Sequence, residues 1–110
     1  MDAFHLTTSV REGVVTVAVA GELDIASREL LRAHLFQLMD GAARPGEIVL
    51  ELGALTFIDA AGLGALVAVH QRARQREARL KLTRVPPMTA RLMRITGLDE
   101  YLHTPAREQT

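Results

Sequence analysis

Residues 4–104 predict a single α/β domain: a mixed sheet of four to five strands with helices packed mainly on one face. Three observations carry this. Strand-like runs at 14–20, 47–52 and 80–84 alternate with helical runs at about 26–40, 60–77 and 88–96, and the last two strands flank a helix, which favours a parallel, right-handed crossover. Residues 4–10 and 14–20 are separated only by Arg11-Glu12-Gly13, so they form a hairpin. A chain of 110 residues holds one core and needs neither disulfide nor metal to close it.

Each element follows from local pattern. In VVTVAVA (14–20), Val15, Val17 and Val19 alternate with Thr16, Ala18 and Ala20, the period of a half-buried strand. Gly21-Glu22-Leu23-Asp24 closes that strand and leads into a helix whose apolar stripe is Leu31, Leu35, Leu38 and Ala42. Gly41 and the Arg44-Pro45-Gly46 cluster end it. EIVLEL (47–52) is the next strand. Residues 53–58 connect it to Asp59, which is placed to cap a helix starting at Ala60. LKLTR (80–84) alternates as a further strand. Pro86-Pro87 opens a third helix with Leu92 and Ile95 inward and Gly97 at its end. Tyr101-Leu102-His103 adds a last strand or a packed tail, and 105–110 forms a flexible end.

Composition excludes several functions. Cysteine is absent, which removes disulfides, thiolate catalysis and cysteine-ligated zinc. Thirteen basic residues balance thirteen acidic ones, so net charge draws the chain to neither nucleic acid nor an anionic surface. No signal-peptide pattern follows Met1, and the longest uncharged stretch, residues 60–71, is too short to span a bilayer. The expectation is a cytoplasmic protein without membrane insertion.

Candidate chemistry is sparse. Gly62-Leu63-Gly64 opens a helix after a strand, but Val67 stands where a dinucleotide fingerprint needs its third glycine. The only lysine is Lys81, so there is no phosphate-binding P-loop. Small residues that let a helix approach a sheet explain the pair better. His5, His34, His70 and His103 are scattered, with no metal-ligand spacing. Asp24 and Asp59 both follow strands and lie near one sheet edge, where they act either as helix caps or as a pair able to hold a metal or move a proton. No serine or threonine sits in a nucleophile elbow. Arg72, Arg76 and Arg79 share a helix face near its C-terminus, without interleaved aromatics, which reads as a solvated helix end rather than a nucleic-acid surface. No catalytic residue, metal or cofactor is expected.

One feature exceeds structural need. The first half of the helix at 60–71 is apolar on nearly every side: Ala60, Ala61, Leu63, Ala65, Leu66, Val67 and Val69 supply more than one inward stripe. The expectation is an apolar patch left exposed beside Asp59 and Asp24, suited to docking a protein.

The segment LELGALTFIDAAGLGALV resembles the signature of STAS domains in anti-sigma factor antagonists, where a strand runs into Asp-Ser-Ser-Gly-Leu-Gly and a helix. Gly21-Glu22-Leu23-Asp24 matches the family's other marker, and LKLTRVPPMTARLMRITGLDEYL its closing strand, proline turn and helix. The resemblance implies a module that binds an anti-sigma factor, a serine kinase with a GHKL-type ATPase fold, and so frees a sigma factor. It carries partner binding to Asp24, Asp59, Ala60, Ala61, Gly62, Leu63, Gly64 and Ala65, in a monomer or weak homodimer. The kinase phosphorylates the first serine of the family motif; here both serines are alanine, Ala60 and Ala61, so the hydroxyl of that switch is missing. The resemblance also allows a STAS module of another assembly, a transporter accessory subunit or stress-sensing scaffold, or a nucleotide or lipid sensor at the Asp24–Asp59 edge.

Overall fold

Residues 3–42 and 45–102 are described by a computed structural model of the chain. Strand β1 (His5–Arg11) and strand β2 (Val14–Leu23) form the expected antiparallel hairpin, with Arg11 opposite Val14. The two residues between them, Glu12 and Gly13, have φ of 53° and 82°, the pair of positive values that a two-residue hairpin turn requires. Helix α1 (Arg28–Asp40), strand β3 (Glu47–Ile58), helix α2 (Ala60–Gln75) and strand β4 (Arg79–Thr83) follow. Helix α3 (Pro87–Thr96) and a single helical turn α4 (Leu98–Tyr101) complete the order.

The sheet has four strands in the order β1-β2-β3-β4; β2 pairs parallel with β3, and β3 parallel with β4. Alternation decides the faces. Val15, Val17 and Val19 of β2, Ile48, Leu50 and Leu52 of β3, and Leu82 of β4 are buried, whereas Val14, Thr16, Val49 and Lys81 are only half-buried. The helices therefore cover one face, with Leu31, Leu35 and Met39 of α1 and Leu63, Leu66 and Val69 of α2 filling the core. The other face is mixed, with Val14 and Val49 beside Thr16 and the Lys81–Glu47 ion pair.

Several local expectations are corrected. Strands β2 and β3 run on to Leu23 and Ile58, because two register shifts, at Ala18/Ala20 and Gly21/Glu22, let pairing continue past the broken alternation. The stripe of α1 is Leu31, Leu35, Met39; Leu38 is half-buried and Ala42 exposed. On α3, Thr89 and Met93 turn inward, while Ile95 faces out. Leu102 is buried after α4, so the chain's last described stretch is a packed tail, not a strand. Arg44, His103 and residues 105–110 lie outside the described residues.

Arg74, Arg76 and Arg79 are exposed, as expected of a solvated helix end, but α2 ends at Gln75, so Arg79 opens β4 rather than sharing the helix face, and Arg72 and Arg76 are also tied to α1. Arg72 donates to both carboxylate oxygens of Asp40 at 3.1 and 2.6 Å, and Arg76 donates to the same group at 2.7 Å, tying the ends of α1 and α2 together. The guanidinium of Arg72 also lies 4.9 Å from the centroid of Phe36, and Arg32 lies 5.0 Å from it. Hydrogen bonds from Arg72 and then Arg76 hold the Asp40 carboxyl below its ordinary range. A carboxylate depressed in the folded state stabilises above its unfolded pKa, and that contribution is lost as pH falls through the folded one. Asp40→Asn should therefore lower the urea midpoint at neutral pH, with the gap to the wild type closing on acidification. A gap unchanged down to the acid transition would show that the clamp contributes nothing through charge.

Candidate functional site

The ends of β2 and β3 lie side by side, Leu23 opposite Ile58, and everything at the candidate site grows from that pairing. The amide of Asp59 donates to the Leu23 carbonyl at 3.3 Å, so the residues that follow each strand, Asp24 and Asp59, emerge at one edge. Asp59 is the N-cap of α2: its carboxylate accepts from the Gly62 amide at 2.9 Å. Gly62 is buried against the end of β2. A Cβ there would meet the Leu23 carbonyl oxygen and the side chains of Ile58 and Leu23, so only glycine allows this approach.

Asp24 has a different task from the cap expected of it. Its carboxylate accepts from the Ala26 and Ser27 amides at 3.0 and 3.1 Å, fixing the turn before α1, while Ser27 is the residue at the helix cap position. The buried Ser27 hydroxyl donates to the Glu22 carbonyl at 2.7 Å and accepts from the Asp24 amide at 3.0 Å. Ser27 thus holds the whole Gly21–Asp24 corner, a role its sequence position alone did not signal. Both carboxylates are engaged by backbone amides. Among the described residues no group of three His, Cys, Asp or Glu side chains is placed to hold a metal ion.

The apolar half of α2 points inward more completely than expected. Leu63, Ala65, Leu66 and Val69 are buried, and Val67 is half-buried, so the outward patch expected on this helix is not formed by its large side chains. Of the residues singled out by resemblance, Ala60 and Gly64 are exposed, Ala61, Asp24 and Asp59 are half-buried, and Gly62, Leu63 and Ala65 belong to the interior. Ala60, Ala61, Gly64 and Ala65 line one wall of a cleft of about 400 Å³, opposite Arg28, Glu29 and Arg32 of α1. Arg32 donates two hydrogen bonds to Glu29, at 3.1 and 2.7 Å, and holds its carboxyl below the ordinary range. Apolar side chains displayed at this end are Ile25, 69% exposed in the turn after Asp24, and Phe57, which pairs with Glu22 near the end of β3.

Fold and site together define a small α/β module whose conspicuous end, where β2 and β3 meet α2, presents a hydroxyl-free helix start, a charged cleft and one exposed isoleucine. The chain belongs to the STAS domain family, which matches residues 5–110. It is 29% identical over 98 residues to the anti-sigma-B factor antagonist of Bacillus subtilis, covering 89% of this chain and 87% of that protein. The anti-sigma-B factor antagonist of Staphylococcus aureus is 27% identical over 99 residues, with 90% of each chain covered. The crystal structure of an anti-sigma factor antagonist from Mycobacterium paratuberculosis superposes with a TM-score of 0.81 at 25% identity, covering 93% of this chain and 85% of that one. No helix among the described residues is long and apolar enough to cross a membrane.

The two glycines of the motif should respond oppositely. Gly62→Ala forces a methyl into a backbone carbonyl and should cost about 2–3 kcal/mol, the upper part of the overpacking range. Gly64 has open space where its Cβ would go, so Gly64→Ala should stabilise by up to about 1 kcal/mol through helix propensity. Chemical denaturation of both variants checks this; equal effects would remove the special status of Gly62. Leu63→Asp should abolish folding, as read by circular dichroism, because the carboxylate would be buried unpaired.

Proposed function

We propose that this protein is an anti-sigma factor antagonist: it binds an anti-sigma factor, a serine kinase of the GHKL ATPase type, and thereby frees a sigma factor. The observation that carries the reading is the intact end of the molecule around Asp24, Asp59 and Gly62, with the small residues Ala60 and Gly64 exposed at the start of α2. A helix start bare of large side chains lets a partner's surface come close to the backbone, while Ile25 offers an apolar anchor beside it. The names of the relatives, which match along nearly their whole length, support the same reading.

Ala60 replaces the hydroxyl that such a kinase would phosphorylate, so the antagonist is proposed to lack that off-switch and to act according to its abundance. Its contacts are made by the rim, Asp24, Ile25, Asp59, Ala60, Ala61 and Gly64; Gly62, Leu63 and Ala65 support that rim from inside. Ile25→Asp should weaken capture of a GHKL-type kinase by about tenfold, the loss expected of an apolar anchor, without changing thermal stability. Capture that persists unchanged in Ile25→Asp would place the contact elsewhere on the molecule.

The switch itself is testable by restoring it. With kinase, ATP and Mg²⁺, wild-type protein should take no phosphate, Ala60→Ser should take one, and Ala61→Ser none. Phosphate at position 60 adds nearly two negative charges beside Asp59, and binding should fall accordingly. Mass spectrometry and partner affinity before and after ATP read this directly. Stoichiometric phosphate on the wild type would overturn the missing switch, and failure of the kinase to bind any variant would overturn the antagonist reading.

A further inference from the structure

An apolar groove adjoins the α2 start, between the last residues of β3 and helix α3. It encloses about 630 Å³ and is walled by Leu55, Phe57 and Ile58 on one side and Met88, Leu92 and Ile95 on the other. Three of these side chains stand out of the core: Phe57 is 50% exposed, Met88 80% and Ile95 71%. Met88 and Ile95 are seven residues apart on α3, so the wall extends about 10 Å, two helical turns. Single exposed apolar residues need no explanation, but a contiguous set around a groove marks an interaction site.

Charge chooses the occupant. Arg91 is the one charged residue lining the groove among the described residues, and it makes no ion pair there. From Arg79 to Leu98 the chain carries five basic residues and no acidic one, and Lys81 and Arg84 are already engaged by Glu47 and Glu51. An apolar trough about two helical turns long with one unpaired cation, Arg91, in its wall fits a helix whose apolar face carries side chains at i, i+3 or i+4, and i+7, beside a carboxylate. Met88 supplies an adaptable side chain for such a partner.

We propose that the groove between the end of β3 and α3 is a docking site for an acidic amphipathic helix of a protein partner. It adjoins the α2 start through Phe57 and Ile58, but its argument does not depend on the antagonist reading.

Two synthetic amphipathic helical peptides with the same leucine stripe, one flanked by Glu and the other by Lys, test this against the full chain by amide chemical-shift mapping. The Glu peptide should shift the amides of Phe57, Met88, Arg91 and Ile95 and bind about tenfold more tightly than the Lys peptide. Ile95→Asp should weaken the Glu peptide by about tenfold while leaving circular dichroism and the melting temperature unchanged, since Ile95 is outside the core. Arg91→Glu should reverse the preference between the two peptides. Equal affinities for both peptides, or shifts confined to other surfaces, would overturn the proposal. So would saturation of the groove by sodium oleate without peptide binding. A dimer in sedimentation equilibrium that Ile95→Asp abolishes, with neither peptide bound, would assign the groove to a second copy and overturn it too.

Discussion

The close approach of Gly62 to the Leu23 carbonyl is the constraint on which the rest of the molecule depends. That carbonyl closes β2, receives the Asp59 amide and leaves no room for a side chain on the first turn of α2. With the helix start seated there, its axis falls across the sheet so that Leu63, Leu66 and Val69 reach the core formed by Val17, Leu50 and Leu82. The same seating brings the Asp24 turn and the Asp59 cap to one edge. One missing methyl group therefore serves packing and surface shape together.

Electrostatics divides between the two ends of the α1–α2 pair. At the C-terminal end Asp40 accepts from Arg72 and Arg76, and Phe36 is flanked by Arg72 and Arg32. At the other end Arg32 turns to Glu29 and forms part of the cleft wall facing Ala60. Arg32 thus belongs to both arrangements through different atoms: its guanidinium face meets the ring while its edge donates to the carboxylate. A neutral molecule can in this way be strongly patterned, with its arginines paired at some places and, among the described residues, left unpaired at others, such as Arg91 and Arg94 of α3.

The element order, the hairpin, the cap at Asp59 and the left-handed glycine at 97 were legible because each rests on residues close in sequence. Strand ends were not. The register shifts near Gly21 break the alternation on which a strand is recognised, so β2 and β3 look shorter than they are. The orientation of α2 was legible only as an excess of apolar residues; whether Leu63 faces the sheet depends on how near the helix comes, which Gly62 sets through a residue 39 positions earlier. Asp40 gave no signal, because its partners lie 32 and 36 residues away. The apolar groove was hidden for the same reason: Phe57 lies at the end of β3 while Met88 and Ile95 come much later, on α3, and Ile95 occupies a spacing that suits the inward stripe.

Helix α2 is fastened at both ends, by the Leu23 carbonyl at its start and by Asp40 at its finish. A beam clamped twice resists tilting and sliding, which favours a single shape for its exposed rim. On the antagonist reading proposed above, a module of that kind would act as a sponge rather than a lever. Tight one-to-one capture by a rigid sponge gives a threshold: free partner stays abundant until the module reaches equal numbers, then collapses over a narrow interval. A cell could obtain a sharp response from such a part without any change in its conformation.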